Sequence, residues 1–287
     1  MLPSALKILL AVAVAYVAVA ALLWTYQDRL AFPAPRRELP SPGALGFPDG
    51  ERVTLTTADD VTLHGWYLPP RAARGDSGTA ESTTTSTTAP GLLWFYGNME
   101  TVAALAPVIR RLRLEEIGLL IVDYRGYGES GGSPTESGLY RDAEAAWMYL
   151  TARREIDSTR VGVYGRSLGS AVALYLAISR PVRTVVLDSP FSSAREMARL
   201  HYWFFPRFLL RHRLDNVARA RELSVPLLVF HGTHDRIVPI SMGRAVAQAG
   251  RAREFVEIIN AGHNDTYDYD TERYRQHMTA FLRETLQ

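Results

Sequence analysis

Val161-Gly162-Val163-Tyr164-Gly165-Arg166-Ser167-Leu168-Gly169-Ser170 leads directly into Ala-Val-Ala-Leu-Tyr-Leu-Ala-Ile at positions 171–178. Residues suited to a strand run into Gly-x-Ser-x-Gly, and an apolar helix-forming run follows: strand, sharp turn, helix. The glycines belong there for a steric reason. A serine at the tip of a strained strand-to-helix turn needs neighbours without Cβ atoms, so that strand and helix approach closely and its hydroxyl stands clear of the sheet edge. The start of the helix adds free N–H groups and a positive dipole end, both useful where an oxygen gains negative charge. Gly-x-Ser-x-Gly alone matches often by chance. The flanks give it weight, and they read Ser167 as a nucleophile in preference to an ordinary helix N-cap.

A chain of 287 residues is long enough for one large α/β domain with a buried core. The formal net charge of +2, with arginine far outnumbering lysine, implies no strong field for nucleic acid. The absence of cysteine excludes disulfides, thiolate metal sites and a cysteine nucleophile. No His-Glu-x-x-His or similar ligand spacing occurs, so no metal and no cofactor are expected.

Residues Ile8 to Trp24 are continuously apolar and, with Ala5 and Leu6, approach the roughly 20 residues that span a bilayer. Lys7 flanks one end, and Trp24, Tyr26 and Arg29 flank the other as interfacial anchors. Residues 1–27 read as a single-pass anchor. A cleaved signal peptide is the rival, because Ala18-Val19-Ala20 has the small-x-small pattern of a cleavage site; the apolar run, however, continues past it. Positive charges on the two sides give no clear orientation. Residues 28–50, rich in proline and glycine, read as an extended linker lifting a domain of residues 51–287 off the membrane. Residues 71–90 form a low-complexity Ser/Thr tract, expected to be a mobile surface loop.

Within the domain, Arg52–Thr57 and Val61–Leu68 read as a hairpin turning at Ala58-Asp59-Asp60. Buried strands are expected at Gly91–Tyr96, Leu119–Asp123, Thr184–Leu187, Pro226–His231 and Glu254–Ile259, in addition to the strand before Ser167. Helices are expected from about Glu100 to Arg113 and from about Thr135 to Arg153, the latter with Leu139, Ala143, Ala146 and Leu150 on one face. Ser193-Ala194-Arg195-Glu196 has capping-box spacing, and a last helix from about Thr271 places Tyr274, Met278, Phe281 and Leu282 on its buried stripe. Buried strands alternating with helices indicate an α/β fold with a mostly parallel sheet and helices on both faces.

In such sheets, ligands and catalysts gather beyond the carboxyl ends of the strands. The loops there carry Gly97-Asn98, Ser167, Asp235 and His263, and the order Ser167, Asp235, His263 is that of an α/β-hydrolase triad. The chain resembles the α/β-hydrolase superfamily, and within it the membrane-anchored Bem46 group with its ABHD13- and ABHD17-like relatives. The matching stretches are Asp123-Tyr124-Arg125-Gly126-Tyr127-Gly128-x-Ser130, the pentad around Ser167, Asp188-Ser189-Pro190-Phe191, His231-Gly232-Thr233-x-Asp235-x-Ile237-Val238-Pro239 and Gly262-His263-Asn264-Asp265. A serine hydroxyl attacks poorly until a base takes its proton. His263 is the expected base, and Asp235 would hold the imidazole tautomer. The Leu168 backbone N–H would donate to the oxyanion, joined by one from the loop after Gly91–Tyr96, at Asn98. Asp188 is the alternative acid; Asp123 is expected to fix the loop that follows it, Asp265 to serve a turn, Ser170 to pack, and His231 to pack or hydrogen-bond. Relatives often have His-Gly-Asn where this chain has Tyr96-Gly97-Asn98, which keeps the backbone donor but removes the histidine's support.

Residues 191–223 occupy the position of a short cap. Tyr202, Trp203, Phe204, Phe205 and Phe208 either line an acyl pocket, dip toward the membrane, or pack the cap onto the core. An apolar cap beside an anchor favours a lipid, or an acylated small molecule or protein, as substrate; the ABHD17-like resemblance implies protein deacylation. The expected function is serine hydrolysis of esters or thioesters, with a serine peptidase or a non-catalytic membrane scaffold as alternatives. The sequence sets no oligomeric state. The resemblance implies an amino terminus inside and a domain outside the cytoplasm.

Overall fold

Runs of five or more buried residues without polar alternation demand that both faces of a strand be covered, and this chain supplies several. In the computed structural model, which describes residues 3–71, 88–202 and 204–287, they form the centre of one eight-stranded sheet. The strands are β1 (Glu51–Thr56), β2 (Thr62–Leu68), β3 (Ala89–Phe95), β4 (Gly118–Val122), β5 (Ile156–Arg166), β6 (Thr184–Asp188), β7 (Leu227–Gly232) and β8 (Glu254–Ile258). Their spatial order is β1-β2-β4-β3-β5-β6-β7-β8. The β1–β2 hairpin and the β2–β4 pair are antiparallel, and every pair from β4 to β8 is parallel. This is the mostly parallel sheet that the alternating pattern predicts.

The helices are α1 (Ser4–Ala31), α2 (Ala106–Leu112), α3 (Glu136–Thr151), α4 (Leu168–Ser179), α5 (Ala194–His201), α6 (Asn216–Glu222), α7 (Ile240–Ala249), α8 (Thr266–Tyr269) and α9 (Thr271–Thr285). The faces expected from spacing are buried: Leu139, Ala143, Ala146 and Leu150 on α3, and Tyr274, Met278, Phe281 and Leu282 on α9. The capping box also forms, with the Glu196 N–H donating to Ser193 Oγ at 3.2 Å.

Several expectations need correction. Residues 32–50 are not a spacer. Phe32, Leu39 and Phe47 are buried in the core, the Trp66 indole donates to the Pro40 carbonyl at 3.0 Å, and the Gly128 N–H donates to the Pro35 carbonyl at 2.8 Å. Proline supplies carbonyl acceptors as well as a stiff chain, so this segment straps the domain. The helix expected from Glu100 starts at Ala106, after a 3₁₀ turn at Ala103–Leu105, because Pro107 lacks the N–H that would continue a ladder from Ala103. Helices α6 and α7, not anticipated in the sequence reading, flank the sheet; α6 packs on α4 and α7, so the segment over the site ends near Asp215. The N-terminal helix extends through Ala31, four residues beyond the expected anchor. Most of the Ser/Thr tract, at 72–87, and Trp203 lie outside the described residues.

Leu39→Ala tests the strap. With the leucine 1 % exposed, truncation is expected to lower unfolding free energy by about 2–4 kcal/mol in chemical denaturation of the solubilised protein, where a free spacer would give no change.

Candidate active site

Ser167 sits between β5 and α4 at φ 48°, ψ −113°, a region that a serine occupies only when its surroundings force it. The forcing is steric. A Cβ on Gly165 would lie 2.5 Å from the Gly169 carbonyl oxygen, and one on Gly169 would lie 2.1 Å from that of Phe95. Only glycine lets β5, α4 and the end of β3 meet there. Leu168 is the first residue of α4, so its N–H stands outside the helical ladder.

The loops after β7 and β8 bring two further groups to Ser167. His263 Nε2 lies 2.9 Å from Ser167 Oγ, and His263 Nδ1 lies 2.6 Å from Asp235 Oδ2. With Nδ1–H donating to the carboxylate, Nε2 accepts from the serine hydroxyl. The other carboxylate oxygen, Asp235 Oδ1, accepts the N–H groups of Ile237 and Val238 at 2.9 and 2.8 Å. Burial alone would raise the Asp235 carboxyl. Hydrogen bonds from His231 and His263 outweigh it and hold the carboxyl well below the usual carboxylate range. His231 is fully buried, donating through Nε2 to the Val238 carbonyl at 2.9 Å with Asp235 Oδ2 3.4 Å away. It therefore braces the turn that presents Asp235. His234 is exposed.

Asp188, the alternative acid, belongs elsewhere. Its carboxylate accepts from Thr266 at 2.7 Å, Ser189 at 3.0 Å, Tyr274 at 3.2 Å and Tyr164 at 3.3 Å, behind the serine and beneath α9. Asp265 accepts the Gly262 N–H at 2.6 Å, as a turn residue does, and Ser170 donates from the first turn of α4 to the Ser167 carbonyl.

On the other side of the serine lies the loop after β3. The Glu100 carboxylate takes the Gly97 N–H at 2.6 Å, leaving Asn98 as that loop's candidate donor beside Leu168; both line the cavity with Ser167. The Asn98 side chain is fixed from two directions. Its Oδ1 accepts from the Tyr127 hydroxyl at 2.6 Å, and its Nδ2 donates to the Ala31 carbonyl of α1 at 2.8 Å. Tyr96 replaces the missing histidine with a different brace: its hydroxyl donates to Asp123 Oδ1 at 2.8 Å and accepts the Tyr124 N–H at 3.1 Å. Asp123 also accepts the Val102 N–H at 2.8 Å, so it secures this loop more directly than the one following it.

Sequence reading missed Arg166 and Glu100. The Arg166 guanidinium, 3 % exposed, is ion-paired with Glu100 and donates to the His263 carbonyl at 2.8 Å and to Asn264 Oδ1 at 3.0 Å. It ties the loops on both sides of the serine into one frame. Burial would lower its pKa, but the carboxylates of Glu100 and Asp188 outweigh this and raise it. The only signal available was an arginine in the variable position of the pentad.

An apolar cavity of about 450 Å³ opens above Ser167. The buried Phe205 and the exposed Tyr202 line it; Phe204 and Phe208, also exposed, do not. Among the described residues, no group of three or more His, Cys, Asp or Glu residues could hold a metal.

A family model described as alpha/beta hydrolase fold matches residues 95–222, a stretch that includes Ser167 and stops before Asp235 and His263. A Mycobacterium tuberculosis protein described as uncharacterized is 34% identical over 98% of this chain and 96% of its own length. The human alpha/beta hydrolase domain-containing protein 17B is 34% identical over 57% of this chain and 56% of its own. Among solved structures, an esterase of Pyrococcus furiosus superposes with a TM-score of 0.69 at 21% identity, covering 88% of this chain and 98% of the esterase.

Burial pushes the Asp123 carboxyl up to about 6, against the Val102 N–H and the Tyr96 hydroxyl, and its Oδ2 has no hydrogen-bond partner. The folded state therefore holds this proton more tightly than the unfolded chain. That stability is fully present below the ordinary carboxylate pKa and lost as pH rises through about 6. Asp123→Asn should gain relative to the parent, by up to about 3 kcal/mol, between pH of about 4 and 7. Paired thermal melts across that range would show a flat difference if the burial cost were absent.

Proposed function

Because the chain belongs to the α/β-hydrolase fold family, we propose that it is a serine hydrolase cleaving carboxylic esters or thioesters of lipophilic acyl groups. One observation carries this reading: His263 reaches Ser167 Oγ through one ring nitrogen and Asp235 through the other, at 2.9 and 2.6 Å. In a scaffold with a silent site, nothing would require that chain of contacts or the strained serine backbone that begins it.

The chemistry follows from the geometry. Ser167 Oγ attacks the carbonyl carbon as His263 Nε2 takes the hydroxyl proton, and the imidazolium that forms is stabilised by Asp235. Negative charge on the former carbonyl oxygen is met by the Leu168 and Asn98 N–H groups. The C–O or C–S bond breaks, the leaving group receives the proton from His263, and the acyl group remains on Ser167. Water then attacks the acyl-enzyme, passing its proton to His263, and the acid is released with the serine restored. The suppressed basicity of Asp235 fits its role, because the carboxylate must stay ionised while the imidazole gains charge.

Helix α1 is long and apolar enough to cross a membrane, and we assign it as a single-pass anchor with the catalytic domain on the extracytoplasmic side. Protease added to intact cells should then degrade the domain, and a domain that stays shielded would reverse the topology.

A fluorophosphonate probe tests the chemistry without knowledge of the substrate. The parent should label, and folded Ser167→Ala should not. His263→Ala should label at least about a hundredfold more slowly, and Asp235→Asn should lose on the order of 10⁴ in ester turnover. No labelling of folded parent, beside a control hydrolase that labels, would sink the proposal.

A further inference from the structure

The cavity above Ser167 is not built by the domain alone. Leu23, Gln27, Leu30 and Ala31 line it from α1, at the spacing of a single helical face. Ala194, Met197, Ala198 and His201 line it from α5 with the same periodicity. Both helical faces line the cavity together with Ser167, His263 and Asn98. The helix that could cross a bilayer therefore also walls the reaction site.

Its position is fixed by polar contacts that a simple anchor does not require. Gln27, the buried residue of α1, donates through Nε2 to the Leu209 carbonyl at 3.2 Å and accepts the Arg211 N–H through Oε1 at 2.8 Å. Asp28 pairs with His212 at 2.7 Å, and the Ala31 carbonyl takes the Asn98 side-chain amide. Polar side chains of this kind fix the register of one segment against another where apolar contact alone would let it slide.

Length sets the depth. Helix α1 has 28 residues, about 42 Å at 1.5 Å per residue, against a hydrocarbon core of about 30 Å. Roughly the last two turns, the ones lining the cavity, therefore stand at the headgroup level. The Tyr16 hydroxyl, about 12 Å deeper along the axis than Trp24, donates to the Phe204 carbonyl at 3.1 Å. The tip of the cap thus reaches the level of the acyl chains, with Phe208 86 % exposed and Leu200 46 % exposed beside it. Such a surface is costly in water and at home in lipid.

Resting on the hydrolase reading above, we propose that the cleft between α1 and α5 is the acyl subsite of the enzyme. It takes the chain of a bilayer-resident acyl ester directly from the leaflet, and Leu23 and Leu30 set the chain length it accepts. The scissile carbonyl then meets Ser167 at the headgroup level, where water is at hand for deacylation.

The test uses full-length protein in phospholipid nanodiscs and compares p-nitrophenyl acetate with p-nitrophenyl palmitate. Leu23→Trp and Leu30→Trp, which fill the wall, should lower the palmitate-to-acetate ratio of kcat/KM at least tenfold. Leu22→Trp, on the same helix and outside the lining, should leave that ratio alone. A second readout needs no turnover: Ser167→Ala protein should bind a fluorescent fatty acid, and adding Leu30→Trp should weaken that binding by a similar factor. Binding lost in this way, from a parent that cleaves no ester, would uphold the subsite and fail the hydrolase reading. An unchanged ratio together with unchanged probe binding would overturn the subsite, and so would equal losses for Leu22→Trp and Leu30→Trp.

Discussion

Three backbones meet where most chains would keep them apart. The end of β3, the end of β5 and the first turn of α4 approach so closely that a single methyl group on Gly165 or Gly169 would overlap a carbonyl oxygen. Much of the site depends on that contact. It drives Ser167 into its left-handed conformation, frees the Leu168 N–H, and brings the loop after β3 alongside the serine. Two sides of the candidate site thus come from one steric constraint, before the side chains of Asp235 and His263 are considered.

The remaining sides are held by charge in low dielectric. Arg166 spans the serine from below, gripping Glu100 in the loop on one side and the His263 carbonyl on the other. Asp123 and Tyr96 clamp the loop after β3, and His231 clamps the turn bearing Asp235. Groups buried in this way cost desolvation and stay put only when their hydrogen bonds are met, so they specify a single arrangement of loops that the sheet alone would leave free. That compensation is incomplete at Asp123 Oδ2, Arg166 Nε and His231 Nδ1, which have no hydrogen-bond partner.

Much of this was legible in the sequence, and the reasons are local. Strand and helix periods are short-range properties, so the parallel core, the stripes on α3 and α9 and the Ser193 cap could be read directly. Ser167, Asp235 and His263 could be named because each follows a recognisable strand, and the structure brings the three within hydrogen-bond distance. What escaped were contacts between distant segments. Proline-rich residues 32–50 have the composition of a spacer, and only the tertiary structure shows Phe32 and Leu39 buried and the Pro40 carbonyl accepting from Trp66. Arg166, Glu100 and Gln27 carry no motif; the partners that tie them across the fold lie 66 to 184 residues away along the chain. Tyr96 could be identified as a departure from the family pattern, but not as a brace in its own right.

The tie between Asn98 and the last residue of α1 bears on how such a protein can be prepared. Domains that follow a long apolar N-terminal helix are often made tractable by cutting the helix away and expressing the remainder. Here a cut after Ala31 would remove four cavity-lining residues and the carbonyl that holds the Asn98 side chain. The fragment would keep Ser167, Asp235 and His263 but lose the α1 side of the cavity above them, so binding preferences measured on it would describe the fragment and not the intact protein.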